Sequence, residues 1–182
     1  MARCYSDAMP PRHPLPKTWL ISDARNDAVL DQALQSLPRG SGLIFRHYHL
    51  GPAERRARFK QLRRHARLRG HRVVLSGSVA EARRWGADGA YGADLARGPA
   101  LLRLVTVHSL RELRRAHRAD AVLLSPVFPT RSHPGGKVLG ALRWKALARL
   151  SKVPVIALGG MNPRRARQLK TEHWAGIDAF LR

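Results

Sequence analysis

The chain has 182 residues, 34 of them Lys or Arg and 12 Asp or Glu, a formal net charge of +22 with its 9 histidines neutral. At roughly 150 residues per domain this length holds one domain and excludes two independent enzyme domains; an apolar share of 44% with 25% charged residues excludes a disordered chain. The single cysteine, Cys4, excludes an internal disulfide and a cysteine-rich metal site.

Residues 1–16, MARCYSDAMPPRHPLP, form a Pro-rich N-terminal tail without the apolar core of a signal peptide. No stretch approaches the ~20 apolar residues of a membrane span, so a soluble, cytoplasmic protein without a membrane partner is expected. A single domain is expected over 17–182. There, short apolar runs alternate with helical patterns: strands at TWLIS (18–22), GLIFRHYHL (42–50), RVVLS (72–76), DGAY (88–91), LLRLVTV (101–107), AVLLS (121–125), PVIAL (154–158) and GIDAFL (176–181). Helical stretches lie near 26–37, 52–69, 78–85, 109–118, 141–150 and 162–171. Strands that read as continuous apolar runs are buried on both faces, and their alternation with helices argues for parallel βαβ units.

Eight such strands predict an α/β fold, a short (β/α)8 TIM barrel, in preference to an open flavodoxin-like or Rossmann sheet, since no GxGxxG follows the first strand. Barrels of this kind rarely have fewer than ~200 residues. The economy is expected in a vestigial helix after 88–91 and a missing eighth helix. The flank left bare would fall to the tail or to a second subunit, so a homodimer is expected.

A charge this positive attracts polyanions. The arginines, however, are spread through helical patterns such as ERRARFKQLRRHARLR (54–69), RELRRAHR (111–118) and NPRRARQLK (162–170), filling the positions around an apolar stripe. They read as solvated helix faces. With no helix-turn-helix, zinc finger or RNP aromatic signature, specific nucleic-acid binding is not expected.

The segments DAVLLSPVFPTRSHPGGKVLG (120–140) and PVIALGGMNPRRA (154–166) resemble the thiamine phosphate synthase/TenI family of short (β/α)8 proteins of thiamine biosynthesis. That family ends its sixth strand in a G-P-V-F-P-T-x-T/S-K loop, matched here from Ser125 through Thr130, Arg131, Ser132 and His133. Its seventh strand reads P-V-V-A-I-G-G-I, matched by Pro154 to Met161. The fifth often ends S-V-H-S, like Thr106, Val107, His108 and Ser109, and the second ends L-R-E-K, where this chain keeps Arg46 and has Tyr48 at the lysine. The resemblance implies a phosphorylated small molecule as partner.

Physical reasoning places the same residues at a phosphate. Reacting groups of such barrels sit at the C-terminal strand ends, where Thr130 and Ser132 can turn two hydroxyls toward an anion. Gly159 and Gly160 allow close backbone approach before a helix, although a plain tight turn is the simpler reading of that pair. Arg46 can point into the barrel mouth and pair bidentately. Ser76, Thr106 and Ser125 are expected to line the pocket, with Lys137 standing in for the loop lysine that His133 replaces.

The resemblance also implies two chemistries. A synthase joins a pyrimidine pyrophosphate to a thiazole phosphate and uses Mg²⁺ held by acids after strands three and four. Here Gly77 follows Ser76, and only Asp94 is at hand as an acid. Magnesium wants one or two carboxylates in near-octahedral geometry. A TenI-like thiazole tautomerase needs no metal or other cofactor and moves a proton with a histidine after strand five, here His108; histidine suits that task near neutral pH. The alternative for His108 is a helix-start residue, with Ser109 and Glu112 forming a capping box. The tautomerase is therefore the leading reading, ahead of a divergent synthase and of a non-catalytic binding relative. His47 and His49 share one side of the second strand and offer half a metal site facing the outer helices. His65, His71 and His117 are expected in solvent, and Trp19, Trp85, Trp144 and Trp174 in packing.

Overall fold

The structure is a computed structural model that describes residues 14–92, 101–132 and 134–180. Its strands are β1 (Thr18–Ile21), β2 (Gly42–Phe45), β3 (Arg72–Ser76), β4 (Gly89–Tyr91), β5 (Leu102–Val107), β6 (Ala121–Leu124), β7 (Val155–Ala157) and β8 (Trp174–Gly176). The helices described are α1 (Leu30–Ser36), α2 (Pro52–Leu68), α3 (Val79–Trp85), α4 (Leu110–Arg115), α5 (Gly140–Arg149) and α6 (Pro163–Leu169). All strand pairs are parallel and sequential, and β8 returns to β1, closing an eight-stranded barrel. The seam is tied by Trp174 N–H donating to the Lys17 carbonyl at 2.9 Å.

Local chemistry sets the helix starts. Ser78, Ser109 and Asn162 each accept the backbone N–H three residues on, which satisfies one of the donors a helix leaves orphaned. Pro52 and Pro163 stand in first turns, where their missing N–H costs nothing. Asp23 and Asn26 build a reciprocal capping box on a 3-10 turn (Ala24–Val29) that leads into α1. Gly86 at φ 69° ends α3 in the left-handed region that a residue without Cβ enters freely.

Strand alternation splits the core in two. Trp19, Ile21, Ile44, Val74, Leu104, Leu123 and Ile156 point inward and fill the barrel. Their neighbours Leu20, Leu43, Phe45, Val73 and Leu75 point outward onto α1 and α2, while Val107, Val122, Leu124 and Ala157 meet Trp144, Leu147 and Leu169. The Trp19 ring fills the space over Gly42, where any Cβ would collide with it. Its indole N–H donates to the Pro16 carbonyl at 2.9 Å, so the ring is both packed and satisfied.

Four expectations are corrected. The eighth strand is Trp174–Gly176 and not 176–181; Asp178–Phe180 is a 3-10 turn, and among the described residues no α-helix follows it. The second strand stops at Phe45, because His47 adopts φ 38° and ends the alternation expected through residue 50. The arginines of α2 are not all solvated: Arg55 and Arg58 near its start fold down onto the barrel rim, with side chains 13% and 16% exposed. His71 is buried, its Nε2 donating to the Leu34 carbonyl at 2.9 Å. Trp19, Trp144 and Trp174 are buried as expected, and Trp85 packs on the α2 side. A cavity of about 690 Å³ opens on the flank between α1 and α6, lined by Ala33, Leu37, Ala166, Trp174 and Phe180. It lies away from the C-terminal strand ends.

Burial, with Arg69 and Arg39 nearby, pushes the His71 imidazole below its ordinary pKa, while its bond to Leu34 opposes the shift. The unfolded chain therefore takes up a proton near the ordinary value that the native state refuses, so stability falls as pH drops through and below about 6.5. Urea midpoints measured from about pH 7.5 to about pH 5 are expected to decline, and His71→Gln, which keeps a donor for Leu34, to flatten part of that decline. An unchanged slope in the variant would remove His71 from the account.

Candidate functional site

The inward parity carries past the last strand bonds to the barrel mouth. Following Ile44, Val74, Leu104 and Leu123 by two residues places Arg46, Ser76, Thr106 and Ser125 on the interior side, joined by Tyr91 from β4. The sequence patterns named all of these except Tyr91. The Ser76 hydroxyl is bonded to Tyr48 Oη, and Thr106 Oγ1 lies 2.6 Å from Tyr91 Oη. Burial lifts the Tyr91 phenol above its ordinary pKa; the Thr106 bond and the positive charge of Arg46 oppose the rise. Arg46 is thus a mouth residue, half-buried, with its guanidinium 5.5 Å from the Tyr48 ring centre. Tyr48 stands where the resemblance places a lysine, and it lies in a turn, 64% exposed, reaching back to Ser76.

Arg55, missed in the sequence because it looked like one more solvated helix arginine, organises this corner. Its Nε donates to the Arg46 carbonyl at 2.9 Å and one Nη to the Ser76 carbonyl at 2.6 Å. Its plane lies between Phe45, Tyr48 and Trp85, at 5.2–5.7 Å from the ring centres. Stacking and two charge-assisted bonds together fix the ends of β2 and β3.

On the opposite side the β6–α5 loop extends the sheet. Val127 N–H donates to Leu158 O at 2.9 Å and Phe128 N–H to Gly159 O at 3.1 Å, after a cis Ser125–Pro126 bond. This crossing is why two glycines are needed. Gly159 sits at φ 96°, and a Cβ there would be 2.6 Å from Pro126 Cα; Gly160 sits at φ 59°. The crossing walls a cavity of about 220 Å³ whose lining includes Thr130, Gly159, Gly160, Asn162, Arg165 and Asp178. Three of the predicted phosphate residues are therefore together. Arg165, not anticipated, lies over Phe128 at 4.9 Å and donates to the Gly160 carbonyl.

Ser132 is held differently from expectation. Its hydroxyl accepts from an Arg25 Nη at 2.8 Å, and it stands outside the cavity lining. Arg25 also donates from Nε to Asp23 at 2.9 Å and approaches Asp178 at 3.5 Å, spanning the loops after β1, β6 and β8. Burial would raise the Asp23 carboxyl, but the Arg25 bonds outweigh it and hold Asp23 below the ordinary carboxylate range. Lys137 is exposed and outside the lining. His133 and Asp94 lie outside the described residues.

His108 follows β5 at the rim, exposed, with Nδ1 2.9 Å from the Ser125 carbonyl. A carbonyl only accepts, so Nδ1 carries the hydrogen and the neutral ring keeps its lone pair on Nε2. The backbone N–H of His108 donates to Glu112 Oε2 at 2.9 Å, while Ser109 Oγ bonds Glu112 Oε1 at 3.0 Å. The Ser109 cap and an oriented imidazole therefore coexist, although the expected capping box is not closed, because the Glu112 carboxylate takes the His108 N–H in place of the Ser109 N–H. The residues described at the ends of β3 and β4 do not fit magnesium: Ser76 is engaged by Tyr48, Gly77 offers no ligand, and Tyr91 bonds Thr106.

A family model described as thiamine monophosphate synthase matches residues 18–180. Thiamine-phosphate synthase of Latilactobacillus sakei is 30% identical over 87 residues, which cover 46% of this chain and 39% of that protein. The Pyrococcus furiosus thiamine-phosphate synthase is 34% identical over 85 residues, 45% of this chain and again 39% of the relative. The aligned segments thus span well under half of these relatives. Among solved structures, thiamine phosphate pyrophosphorylase from P. furiosus superposes with a TM-score of 0.71 at 24% identity, covering 89% of this chain and 85% of the other. A FabK variant from Thermotoga maritima reaches 0.68 at 18% identity, covering 91% and 62%. At these identities both superpositions speak to the barrel fold alone.

The loop crossing at Gly159 has a measurable consequence. Gly135, at φ 73°, has open space where a Cβ would stand, so Gly135→Ala incurs only left-handed strain, about 1–2 kcal/mol. Gly159→Ala adds the collision with Pro126 and is expected to lower the unfolding free energy further, measured in urea. Equal losses would mean that the loops are not in tight contact.

Proposed function

The chain belongs to the thiamine monophosphate synthase family, and we propose from that premise that it binds a thiazole phosphate-type ligand in the barrel mouth. Its chemistry in this reading is a TenI-like tautomerisation with His108 as acid and base. The observation that carries it is the orientation of the imidazole: Nδ1–H is fixed on the Ser125 carbonyl, which leaves Nε2 as the basic atom. Nε2 takes a proton from one position of the thiazole carboxylate, and the imidazolium returns it at another, so no co-reactant is consumed. The Ser125 carbonyl keeps its hold on Nδ1–H throughout and fixes the ring while it carries the proton. Thr130 and the backbone at Gly159 and Gly160 receive the phosphate, and Arg46, across the mouth, neutralises ligand charge.

A synthase reading is favoured by the similarity to the thiamine-phosphate synthases of L. sakei and P. furiosus. Against it stand the poor magnesium ligands at the described ends of β3 and β4. The two readings separate in an assay of purified protein. Tautomerisation that is insensitive to EDTA and falls in kcat by roughly 10²–10⁴-fold in His108→Ala supports the proposal. Condensation of pyrimidine pyrophosphate with thiazole phosphate, abolished by EDTA, replaces it with the synthase. Thiazole phosphate binding without either turnover assigns a binding protein. Arg46→Met is expected to raise KM by at least ~10-fold with a smaller change in kcat, since it removes a charge-assisted contact to the bound ligand.

A further inference from the structure

Outside the mouth, on the helix-facing side of the rim, one cluster joins metal-ligating side chains from two loops. Asp27 comes from the 3-10 turn after β1, and His47 and His49 from the turn after β2; a ligand atom from each lies within 4.8 Å of the others. The sequence offered only the two histidines, because nothing in its spacing brings Asp27 to them.

The His47 ring is completely buried, stacked on Phe45 at 4.5 Å with 6° between the planes. Its Nδ1 is 2.7 Å from Ser22 Oγ. Its Nε2 is 2.8 Å from Asp27 Oδ1, yet the approach is off-axis and Nε2 makes no hydrogen bond. A fully buried imidazole nitrogen that meets a carboxylate only off-axis is poorly satisfied, which is uncommon in native proteins. The backbone is bent to put it there, since His47 is a non-glycine residue at φ 38°.

We propose that Asp27, His47 and His49 bind a divalent transition-metal ion of the zinc class. Two imidazoles and one carboxylate are a borderline donor set that suits Zn²⁺ and disfavours Mg²⁺ or Ca²⁺. Ligand atoms ~2.0–2.1 Å from a tetrahedral ion stand about 3.3 Å apart. The observed separations, 2.8 Å from His47 Nε2 to Asp27 Oδ1, 4.0 Å from His49 Nε2 to Asp27 Oδ2, and at most 4.8 Å between one ligand atom of each residue, lie around that value, so side-chain rotations complete the site. The surroundings are those of a metal ligand set. Ser22 orients the ring of His47 from its far nitrogen, and Arg58 Nε donates to Asp27 Oδ1 at 2.8 Å, leaving Oδ2 toward His49. Asp31, 2.7 Å from Arg58, balances the guanidinium charge beside the ion. With three protein ligands, the fourth position is left to water on the exposed side of His49.

This site is independent of the proposed reaction, and its test reads metal and not turnover. The full-length protein, produced without a polyhistidine tag and stripped with EDTA, is titrated with Zn²⁺ alone by calorimetry. One ion per chain is expected, together with a Zn²⁺-dependent rise in Tm. His49→Ala, at an exposed position, and Asp27→Asn are each expected to weaken binding by at least ~10-fold and to abolish the rise in Tm, while His117→Ala leaves both intact. No uptake of Zn²⁺ overturns the proposal. So does uptake that survives unchanged in His49→Ala, since the ion would then lie elsewhere on the chain.

Discussion

Closing eight parallel strands into a ring gives each strand residue two environments, the barrel interior and the layer beneath the helices, and the rest of the molecule follows from that division. Inward positions must fill a narrow cylinder, so Trp19, Ile44, Val74, Leu104, Leu123 and Ile156 take the volume and Gly42 yields its space to the Trp19 ring. Where the cylinder opens, the same parity delivers polar residues, Arg46, Ser76, Tyr91, Thr106 and Ser125. The mouth is the continuation of the core by one residue pair per strand, and its rigidity is borrowed from the packing below it.

The arginines show how a strong charge imbalance is divided. Most of the excess sits on outer helix faces, where it is solvated. A few are structural. Arg55 closes the ends of β2 and β3, Arg58 ties Asp27 to Asp31, Arg25 spans three loops, and Arg165 steadies the Gly159–Gly160 turn. Guanidinium suits these tasks because its planar fork bonds carbonyls and carboxylates while its face stacks on aromatic rings. The charge that first suggested a polyanion partner is partly spent inside the rim.

What was legible in the sequence is what depends on period and local chemistry. Continuous apolar runs separated by helical stripes specify parallel strands buried on both faces, and closing them in order produces the observed barrel. The caps at Ser109 and Asn162 follow from side chains that bond their own helix starts. The mouth residues at the ends of β2, β3, β5 and β6 were legible because parity runs to a strand end and projects past it. Arg25, Arg55, Arg165 and Asp178 were not, because each acts through a partner on another loop that no local pattern brings near. The expected strand at 176–181 begins too late because its apolar run starts at Gly176, whereas Trp174 and Ala175 supply the outward and inward positions of the seam. His71 was misread because a histidine amid arginines looks solvated until α1 closes over it.

One residue joins the two sides of the rim. Ser22, completely buried just after β1, accepts the Arg46 N–H at 2.8 Å and meets His47 Nδ1 at 2.7 Å. Arg46 belongs to the inward parity and His47 to the outward, and the left-handed turn at His47 lets consecutive residues serve opposite faces of the wall. A hydroxyl has one hydrogen and two lone pairs. With its acceptor role given to Arg46, it donates to Nδ1 when the ring is protonated at Nε2 and accepts from Nδ1 when Nε2 is free to ligate. Both arrangements keep the Arg46 N–H on the same oxygen, so ligation at the outer cluster leaves the mouth side of the wall as it is.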